Sequence, residues 1–309
     1  MEKLYARDIY GKTLVELGKK DSRIIVLDAD LSGSTRTSFF ANEFPDRFFN
    51  FGVAEQNMMA TAAGFAASGK IVFASTFAMF ASARALDQVR NTICYNNFDV
   101  KIVATHGGIT VGEDGASHQA LEDINFLRAI PNIKIVVPAD APEAKDAVIT
   151  AANTDGPFYI RLGRSKVSTL ENRKKFTLGK GYILEQGKDL AIITCGVIVS
   201  EALAACKELN KEGLRPTLVN VHTIKPIDEE LIVDIAKSHK RILVCEEHQV
   251  IGGLFSTVSE VLVSSFPVKV DRIGIEDRFG QSGVPGELLD FYGLSASSIA
   301  QKAKELLRQ

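Results

Sequence analysis

Apolar and polar positions alternate in blocks along the chain, and the blocks predict a repeating order of helices and strands. Apolar residues recur at three- and four-residue steps between Ala6 and Leu17, as on one face of a helix. Short apolar runs suit strands that are buried on both faces, and in the first half they cover 24–27, 71–74, 100–105, 133–137 and 158–162. A further helix is predicted to begin at Asp140, because Glu143 follows at the spacing of a capping box.

The second half of the chain repeats this pattern. Its apolar runs predict strands at 190–194, 217–221, 242–245 and 268–273, and its periodic segments predict helices near 199–210, 228–238, 252–265 and 295–308. A polar, weakly periodic stretch at about 165–178 is predicted to be a linker. We therefore predict an α/β protein of two domains, 1–168 and 178–309, each with a mostly parallel sheet flanked by helices.

Composition narrows the classes of partner. The chain has 36 Lys and Arg against 38 Asp and Glu, a net charge of -2, so it lacks the basic excess typical of proteins that bind nucleic acid or anionic membranes. Its beginning shows no signal-peptide pattern, and no apolar stretch is long enough to span a membrane. The 4 cysteines form no CxxC pair, which favours buried reduced thiols over a zinc site and predicts a cytoplasmic protein.

Two segments that follow predicted strands carry candidate chemistry. In FNFGVAEQNMM (Phe49–Met59), Glu55 follows a glycine turn and begins a predicted helix. Its carboxylate could interact with the helix N-terminus, or it could lie in an apolar pocket where loss of hydration favours the protonated form. In STFAMF, Phe77 and Phe80 are three residues apart on a predicted helix, where they could be core residues or a platform for a cofactor ring.

The segment THGGITVGEDGASHQ (Thr105–Gln119) is polar and rich in glycine. Such a stretch is not expected to bury itself, and long polar loops in compact domains are often functional. The spacing of His106 and His118, without an obvious third ligand, favours hydrogen bonding or proton transfer over metal binding. We therefore predict no metal site on these residues.

Arginines and a second acidic segment complete the candidates. Arg7, Arg161 and Arg164 could bind an anion, since guanidinium matches phosphate oxygens, or could be ordinary surface arginines. In VCEEHQVIGG (Val244–Gly253), a strand is predicted to lead into a charged loop. We interpret its Glu246, Glu247 and His248 as structural or interface residues, because no other reactive group is near them in sequence.

Taken in order, the motifs GVAEQNM, STFAMF, GEDGASHQ and PNIKIVVPAD make the chain similar to the thiamine-diphosphate transketolase superfamily over nearly its whole length. The resemblance implies a pyrimidine-binding domain followed by the family's C-terminal domain. It also implies a transferase that moves a two-carbon ketol unit from a ketose phosphate to an aldose phosphate.

The resemblance assigns roles to individual residues. It implies that Glu55 hydrogen-bonds a ring nitrogen of the cofactor's aminopyrimidine, and that Glu55, His106 and His118 are the catalytic residues. The residues implied to bind the cofactor are Glu55, Phe77, Phe80 and Asp30, and those implied to bind the sugar phosphate are Arg7, Ser34, His106, Asp114, His118 and Arg164. Two positions depart from the family: Ala83 stands where some transketolases have a tyrosine, and Gly163 where relatives often have serine.

The resemblance also implies a partner. The family binds diphosphate and Mg²⁺ through a GDG motif followed later by Asn, and this sequence has no GDG. A separate N-terminal transketolase subunit is therefore expected to bring those sites. Self-association is expected as well, giving a heterotetramer of two plus two chains.

Three alternatives stay open on the sequence. A 1-deoxy-D-xylulose-5-phosphate synthase-like protein and the β-type subunit of a 2-oxo-acid dehydrogenase decarboxylase would use Glu55 in the same way. The discrimination rests on His106 and the sugar-phosphate anchors. A non-catalytic scaffold of the same fold is the hypothesis from another class.

Overall fold

A computed structural model of the chain describes residues 2–308. The strands are β1 (Lys3–Leu4), β2 (Ile24–Asp28), β3 (Phe48–Asn50), β4 (Ile71–Phe77), β5 (Val100–Thr105), β6 (Lys134–Val136), β7 (Phe158–Arg161), β8 (Val167–Ser168), β9 (Tyr182–Glu185), β10 (Ala191–Thr194), β11 (Thr217–Asn220), β12 (Thr223–Lys225), β13 (Arg241–Gln249) and β14 (Lys269–Ile275). The helices are α1 (Ala6–Lys20), α2 (Ser32–Thr35), α3 (Ser38–Glu43), α4 (Glu55–Ala67), α5 (Asp123–Arg128), α6 (Ala141–Ala152), α7 (Ile198–Lys211), α8 (Glu229–Ser238), α9 (Leu254–Ser265), α10 (Pro285–Phe291) and α11 (Ala296–Arg308). Shorter 3₁₀ or π-helical turns cover Pro45–Arg47, Phe80–Arg84, Gln88–Cys94 and Ile109–Asp114.

The first sheet has 7 strands in the order β12-β6-β7-β5-β4-β2-β3. All neighbours are parallel except β12 and β6. Residues of β2 alternate between two apolar clusters, one formed with α1 and α6 and the other with α4, so helices cover both faces as a buried parallel sheet requires.

The second sheet has 5 strands in the order β14-β13-β10-β11-β9. Its neighbours are parallel except β9 and β11. Helices α7 and α11 pack on one face, and α8 and α9 pack on the other, where they share an apolar core with the α4 face of the first sheet. The predicted α/β fold with mostly parallel sheets flanked by helices is therefore confirmed.

Each predicted strand corresponds to an observed one, but the short strands β1, β3, β8, β9 and β12 were not predicted. Of these, β12 joins the two halves of the chain. It comes from the second half of the chain and extends the first sheet by pairing antiparallel with β6. Its three residues, Thr223–Lys225, contain no apolar run that could have indicated a strand. The two halves are thus joined by backbone hydrogen bonds as well as by their shared core.

The prediction that Phe77 and Phe80 lie together on a helix is wrong. Phe77 is the last residue of β4, and Phe80 begins the helical turn that follows. The strand continues through the polar Ser75 because that hydroxyl is buried against the hydroxyl of Tyr10, with 2.7 Å between the oxygens. A satisfied polar group costs little inside a sheet.

The segment 105–119 does not bury itself, but the second half of the chain covers its residues 105–112, whereas Glu113, Asp114, Ala116 and Ser117 are exposed. Glu247 on β13 accepts the backbone N–H of Thr110 at 2.6 Å. Its carboxylate fills the space beside Gly108, where a Cβ atom would stand and where φ is +88°. Glycine is needed at this position for both reasons.

The acidic segment Glu246–His248 lies inside β13 and is not a loop. Glu246 accepts the N–H groups of Leu254 and Phe255 at the start of α9, at 2.7 and 2.9 Å. These bonds satisfy donors that the helix leaves free. The predicted structural role is therefore confirmed for Glu246 and for Glu247, described above.

Two further predictions concern thiols and membranes. All 4 cysteines are free and buried, which confirms the interpretation of the cysteine spacing. Within residues 2–308, no helix is both long and apolar enough to cross a membrane.

Glu143 links the two halves of the chain. Asp140 caps α6 by accepting the N–H of Glu143 at 2.8 Å, as the spacing predicted. The carboxylate of Glu143 then accepts from the N–H of Ala139, the hydroxyl of Tyr182 and the amide of Asn220, at 2.7, 2.9 and 3.0 Å. Burial raises its pKa from 4.5 to about 7 despite these bonds, so the ionised form is unfavourable in the folded protein.

The raised pKa of Glu143 predicts a pH-dependent stability. The proton is held more tightly in the folded state, so the contribution to stability is complete below pH 4.5 and is lost as pH rises through about 7. Glu143→Gln should therefore lower the melting temperature less at pH 8 than at pH 5. Burial also raises the pKa of Glu246 to about 7. The resulting change of stability with pH is the same in the wild type and in Glu143→Gln, so it cancels when the two are compared. An equal loss at both pH values would contradict the account.

Candidate active site

The candidate residues converge where the central strands of the first sheet end. Loops follow the carboxyl ends of β2, β4, β5 and β7, which are neighbours in the sheet. Open parallel sheets bind ligands at this edge. The fold therefore brings together segments that are far apart in sequence.

Glu55 begins α4, and its side chain is only 1% exposed. Both carboxylate oxygens accept hydrogen bonds from Nη1 of Arg84, each at 3.0 Å. The hypothesis of a purely apolar pocket is therefore wrong in one respect, because a guanidinium compensates the carboxylate charge. A carboxylate is costly to bury unless such a partner compensates its charge.

Aromatic rings lie near this carboxylate, because Arg84 also packs on the Phe80 ring with 4.3 Å between Cζ and the ring centroid. The Phe77 ring stacks on His106 with centroids 3.8 Å apart and on Phe80 with centroids 6.1 Å apart. The edge of the His118 ring lies against Phe80, with 5.3 Å between the centroids. A buried carboxylate beside such rings suits a planar heterocycle that stacks and hydrogen-bonds through a ring nitrogen. We call the side chains of Phe77, Phe80, His106 and His118 the aromatic wall.

His106 is held in a strained conformation with φ of +60°. Its Nδ1 is 2.9 Å from the hydroxyl oxygen of Thr105. Burial lowers its pKa to about 3, and the charges of Arg7 and Arg164 and the neighbouring His118 add to the shift. The imidazole is therefore neutral near pH 7 and can hydrogen-bond but cannot act as a cation.

Arginines make this side of the site positive. Arg7 donates from Nη1 to the carbonyl oxygen of Ser34 at 3.1 Å, and its Nε is buried without a hydrogen-bond partner. Burial lowers the pKa of Arg7, and repulsion from Arg36 and Arg164 acts in the same direction. Converging cations with an unsatisfied N–H suit an anionic group such as phosphate.

Arg164 has partners within the chain. It lies 2.7 Å from the exposed carboxylate of Glu113 and 4.0 Å from that of Asp114, and it also donates to the carbonyl of Val111. These contacts hold the loop after β5 near the loop after β7. An exposed pair such as Arg164 with Glu113 is weak enough to exchange for another anion.

Asp30 lies at the rim of the site, exposed and with φ of +64°. Its backbone N–H and its carboxylate both bond to the side-chain amide of Asn50, at 3.1 and 3.2 Å. The turn that carries it is held by the buried Asp28, whose carboxylate accepts hydrogen bonds from Leu31, Thr35 and Thr37. The turn is thus pre-shaped by a network beneath it.

Arg161 does not belong to the site. It is buried and bonded to Asp123 at 2.7 Å, and it also donates to the carbonyl oxygens of Ala120 and Glu247. Both earlier interpretations, an anion anchor and a surface arginine, are wrong. Arg161 instead connects the segment 120–123 to β13.

Sequence reasoning missed Arg84, Asp28 and Thr105. Arg84 stands four residues after Phe80 in a helical turn, and that spacing could have indicated contact between them. Asp28 ends an apolar run, which is a weak sign of a buried acid. Thr105 contacts the adjacent His106, and nothing in the sequence indicated that contact. Within residues 2–308, no group of His, Cys, Asp or Glu side chains is arranged to hold a metal ion.

Comparisons with known proteins agree with this arrangement. Residues 2–169 match the family described as transketolase, pyrimidine binding domain, and residues 179–299 match transketolase, C-terminal domain. A protein of Methanocaldococcus jannaschii that bears the name transketolase C-terminal section is 51% identical over 97% of this chain and 95% of its own length. A 6-deoxy-6-sulfo-D-fructose transketolase subunit of a Clostridium species is 38% identical over 99% of this chain and 95% of its own length.

A solved structure has the same fold over its whole length. It is a split-gene transketolase in an inactive β4 tetramer, with a TM-score of 0.90, 46% identity and coverage of 99% of both chains. At 46% identity the two proteins are similar in sequence as well as in fold.

The low pKa of His106 gives a direct prediction for the isolated chain. Its ring nitrogens should show no titration between pH 5 and 8 in nuclear magnetic resonance spectra, because protonation is shifted to about pH 3. His106→Asn would identify the signals by their loss. A titration midpoint near the ordinary value of 6.5 would contradict the burial of this ring among positive charges.

Proposed function

The chain belongs to the transketolase family, and we propose that it is the C-terminal subunit of a two-chain transketolase. In this proposal it transfers a two-carbon ketol unit from a ketose phosphate to an aldose phosphate when an N-terminal subunit completes the site. The observation that carries the proposal is the buried Glu55 beside the aromatic wall, with Arg7, Arg164 and His106 converging next to it.

We call Glu55, Phe77 and Phe80 the heterocycle half of the site. Its buried carboxylate and aromatic rings suit the pyrimidine of thiamine diphosphate. That cofactor, when bound, supplies the nucleophilic carbon and the electron sink for carbon–carbon bond cleavage. Glu55 would bond a ring nitrogen of the pyrimidine and share a proton with it. Phe77 and Phe80 would pack on the ring and exclude water, which strengthens hydrogen bonds in the pocket.

The polar half of the site suits a sugar phosphate. Arg7 and Arg164 would bind the phosphate, and the neutral His106 and Ser34 would contribute hydrogen bonds rather than charge. Asp114 would contact sugar hydroxyls and His118 the reacting end of the donor, whereas Asp30 would contact the cofactor. In this role His118 packs against Phe80 with the two rings nearly perpendicular and 5.3 Å between their centroids.

A partner subunit forms part of the proposal. We infer that an N-terminal transketolase chain binds the diphosphate and Mg²⁺, and that the complex is a cytoplasmic heterotetramer of two plus two chains. The relatives support this, since one is called a C-terminal section, another a subunit, and the solved structure a split-gene transketolase.

The activity should require both chains and Glu55. With thiamine diphosphate, Mg²⁺, a phosphorylated ketose and ribose 5-phosphate, we expect turnover from the co-expressed pair and none from the chain alone. Glu55→Gln in the pair should lower kcat by about 10²–10⁴-fold, because it keeps the shape but loses the acid. Glu260→Gln is the matched control, since Glu260 also pairs with an arginine, Arg128, but lies on α9.

Other outcomes would reject specific parts of the proposal. Full turnover by the chain alone would reject the need for a partner. A folded pair that consumes pyruvate but no ketose phosphate as donor would favour the synthase or the dehydrogenase subunit. A folded pair with neither activity, and with no effect of Glu55→Gln on cofactor binding, would favour a scaffold.

A further inference from the structure

Arg84 bridges the two side chains proposed to hold the pyrimidine. Its Nη1 lies 3.0 Å from each carboxylate oxygen of Glu55, and its Cζ lies 4.3 Å from the centroid of the Phe80 ring. The Arg84 side chain is 46% exposed while that of Glu55 is 1% exposed. The partly exposed Arg84 side chain therefore extends from the protein surface to the buried carboxylate of Glu55.

The local backbone explains why Arg84 can do this. It is the last residue of the helical turn that Phe80 begins, and side chains four residues apart on a helix are neighbours. Stacking on the ring holds the guanidinium in place. Since arginine stays protonated in proteins, the charge next to Glu55 is permanent.

The consequence for Glu55 is a fixed orientation. A carboxylate rotates about its last side-chain torsion unless its oxygens are bonded, and a single nitrogen equidistant from both oxygens opposes that rotation. The same contact compensates the desolvated charge. Ala83, the position that departs from the family, has no side chain beyond Cβ that could contribute to this.

We propose that Arg84 is a positioning residue for the reaction, acting through Glu55. It remains in contact with the carboxylate when the cofactor is bound and keeps its oxygens aligned with the plane of a ring packed on Phe80. This inference rests on the proposed function. It adds a residue that sets how well the acid is placed, without itself contacting the reacting atoms.

The test uses the assembled pair with four variants: Arg84→Met, Arg84→Lys, Glu55→Gln and the double variant Glu55→Gln/Arg84→Met. Arg84→Met keeps the side-chain length but loses the charge, and it should lower kcat by about tenfold or more. Arg84→Lys should recover part of that loss, because an ammonium can replace the one nitrogen that contacts Glu55 but does not stack on Phe80 as a guanidinium does. The double variant should be no slower than Glu55→Gln alone, because Arg84 has no role once the acid is gone.

A second measurement uses the isolated chain and needs no cofactor. Arg84→Met should lower the melting temperature by about 2–5 °C, because the buried carboxylate loses its partner. The same change made in the Glu55→Gln background should cost less. Arg23→Met is the matched control: Arg23 pairs with Asp21 but is 62% exposed, and exposed pairs contribute little.

The outcomes separate the two proposals. In an active pair, a wild-type kcat for Arg84→Met would overturn the role of Arg84 and leave the proposed function intact. The role of Arg84 would also be overturned by a loss that multiplies with that of Glu55→Gln, or by a loss of which lysine recovers none. An inactive wild-type pair would overturn both, whatever the melting temperatures show.

Discussion

The shape of the site depends on one buried hydrogen bond between the two halves of the chain. Glu247 on β13 accepts the N–H of Thr110 and fills the space beside Gly108. Without that acceptor, a buried backbone donor in the loop after β5 would be unsatisfied, at a cost of about 1–3 kcal/mol. The bond holds the loop against the second half, and the same loop carries His106 and His118. The second domain therefore has a structural role in the site, although its side chains do not line the aromatic wall.

Charge divides the site into two parts. In one, the carboxylate of Glu55 is compensated by Arg84 beside aromatic rings, an environment suited to a heterocycle that shares a proton. In the other, Arg7 and Arg164 surround a neutral His106, so positive charge is concentrated on guanidinium groups that match phosphate geometry. Phe77 belongs to both parts because it stacks on His106 and on Phe80. A two-carbon transfer between sugar phosphates would use both at once.

Periodicity predicted the central strands and the main helices, because buried parallel strands are recorded in the sequence as apolar runs. It failed where tertiary contacts decide the outcome. The β4 strand continues through Ser75 because Tyr10 satisfies that hydroxyl, and residues 105–112 are buried because the second half of the chain, including β13, covers them. The candidate site residues were predicted from ordered motifs, whereas Arg161 was misassigned because its partner Asp123 is distant in sequence. Arg84 had a usable signal, its helical spacing from Phe80.

The central claim is that this chain holds half of a cofactor site. The most direct test is calorimetric titration of thiamine diphosphate with Mg²⁺ into the chain alone and into the chain assembled with an N-terminal transketolase subunit. The account predicts saturable binding of one cofactor per pair of chains and no saturable binding by this chain alone. Tight, stoichiometric binding by the isolated chain would contradict it.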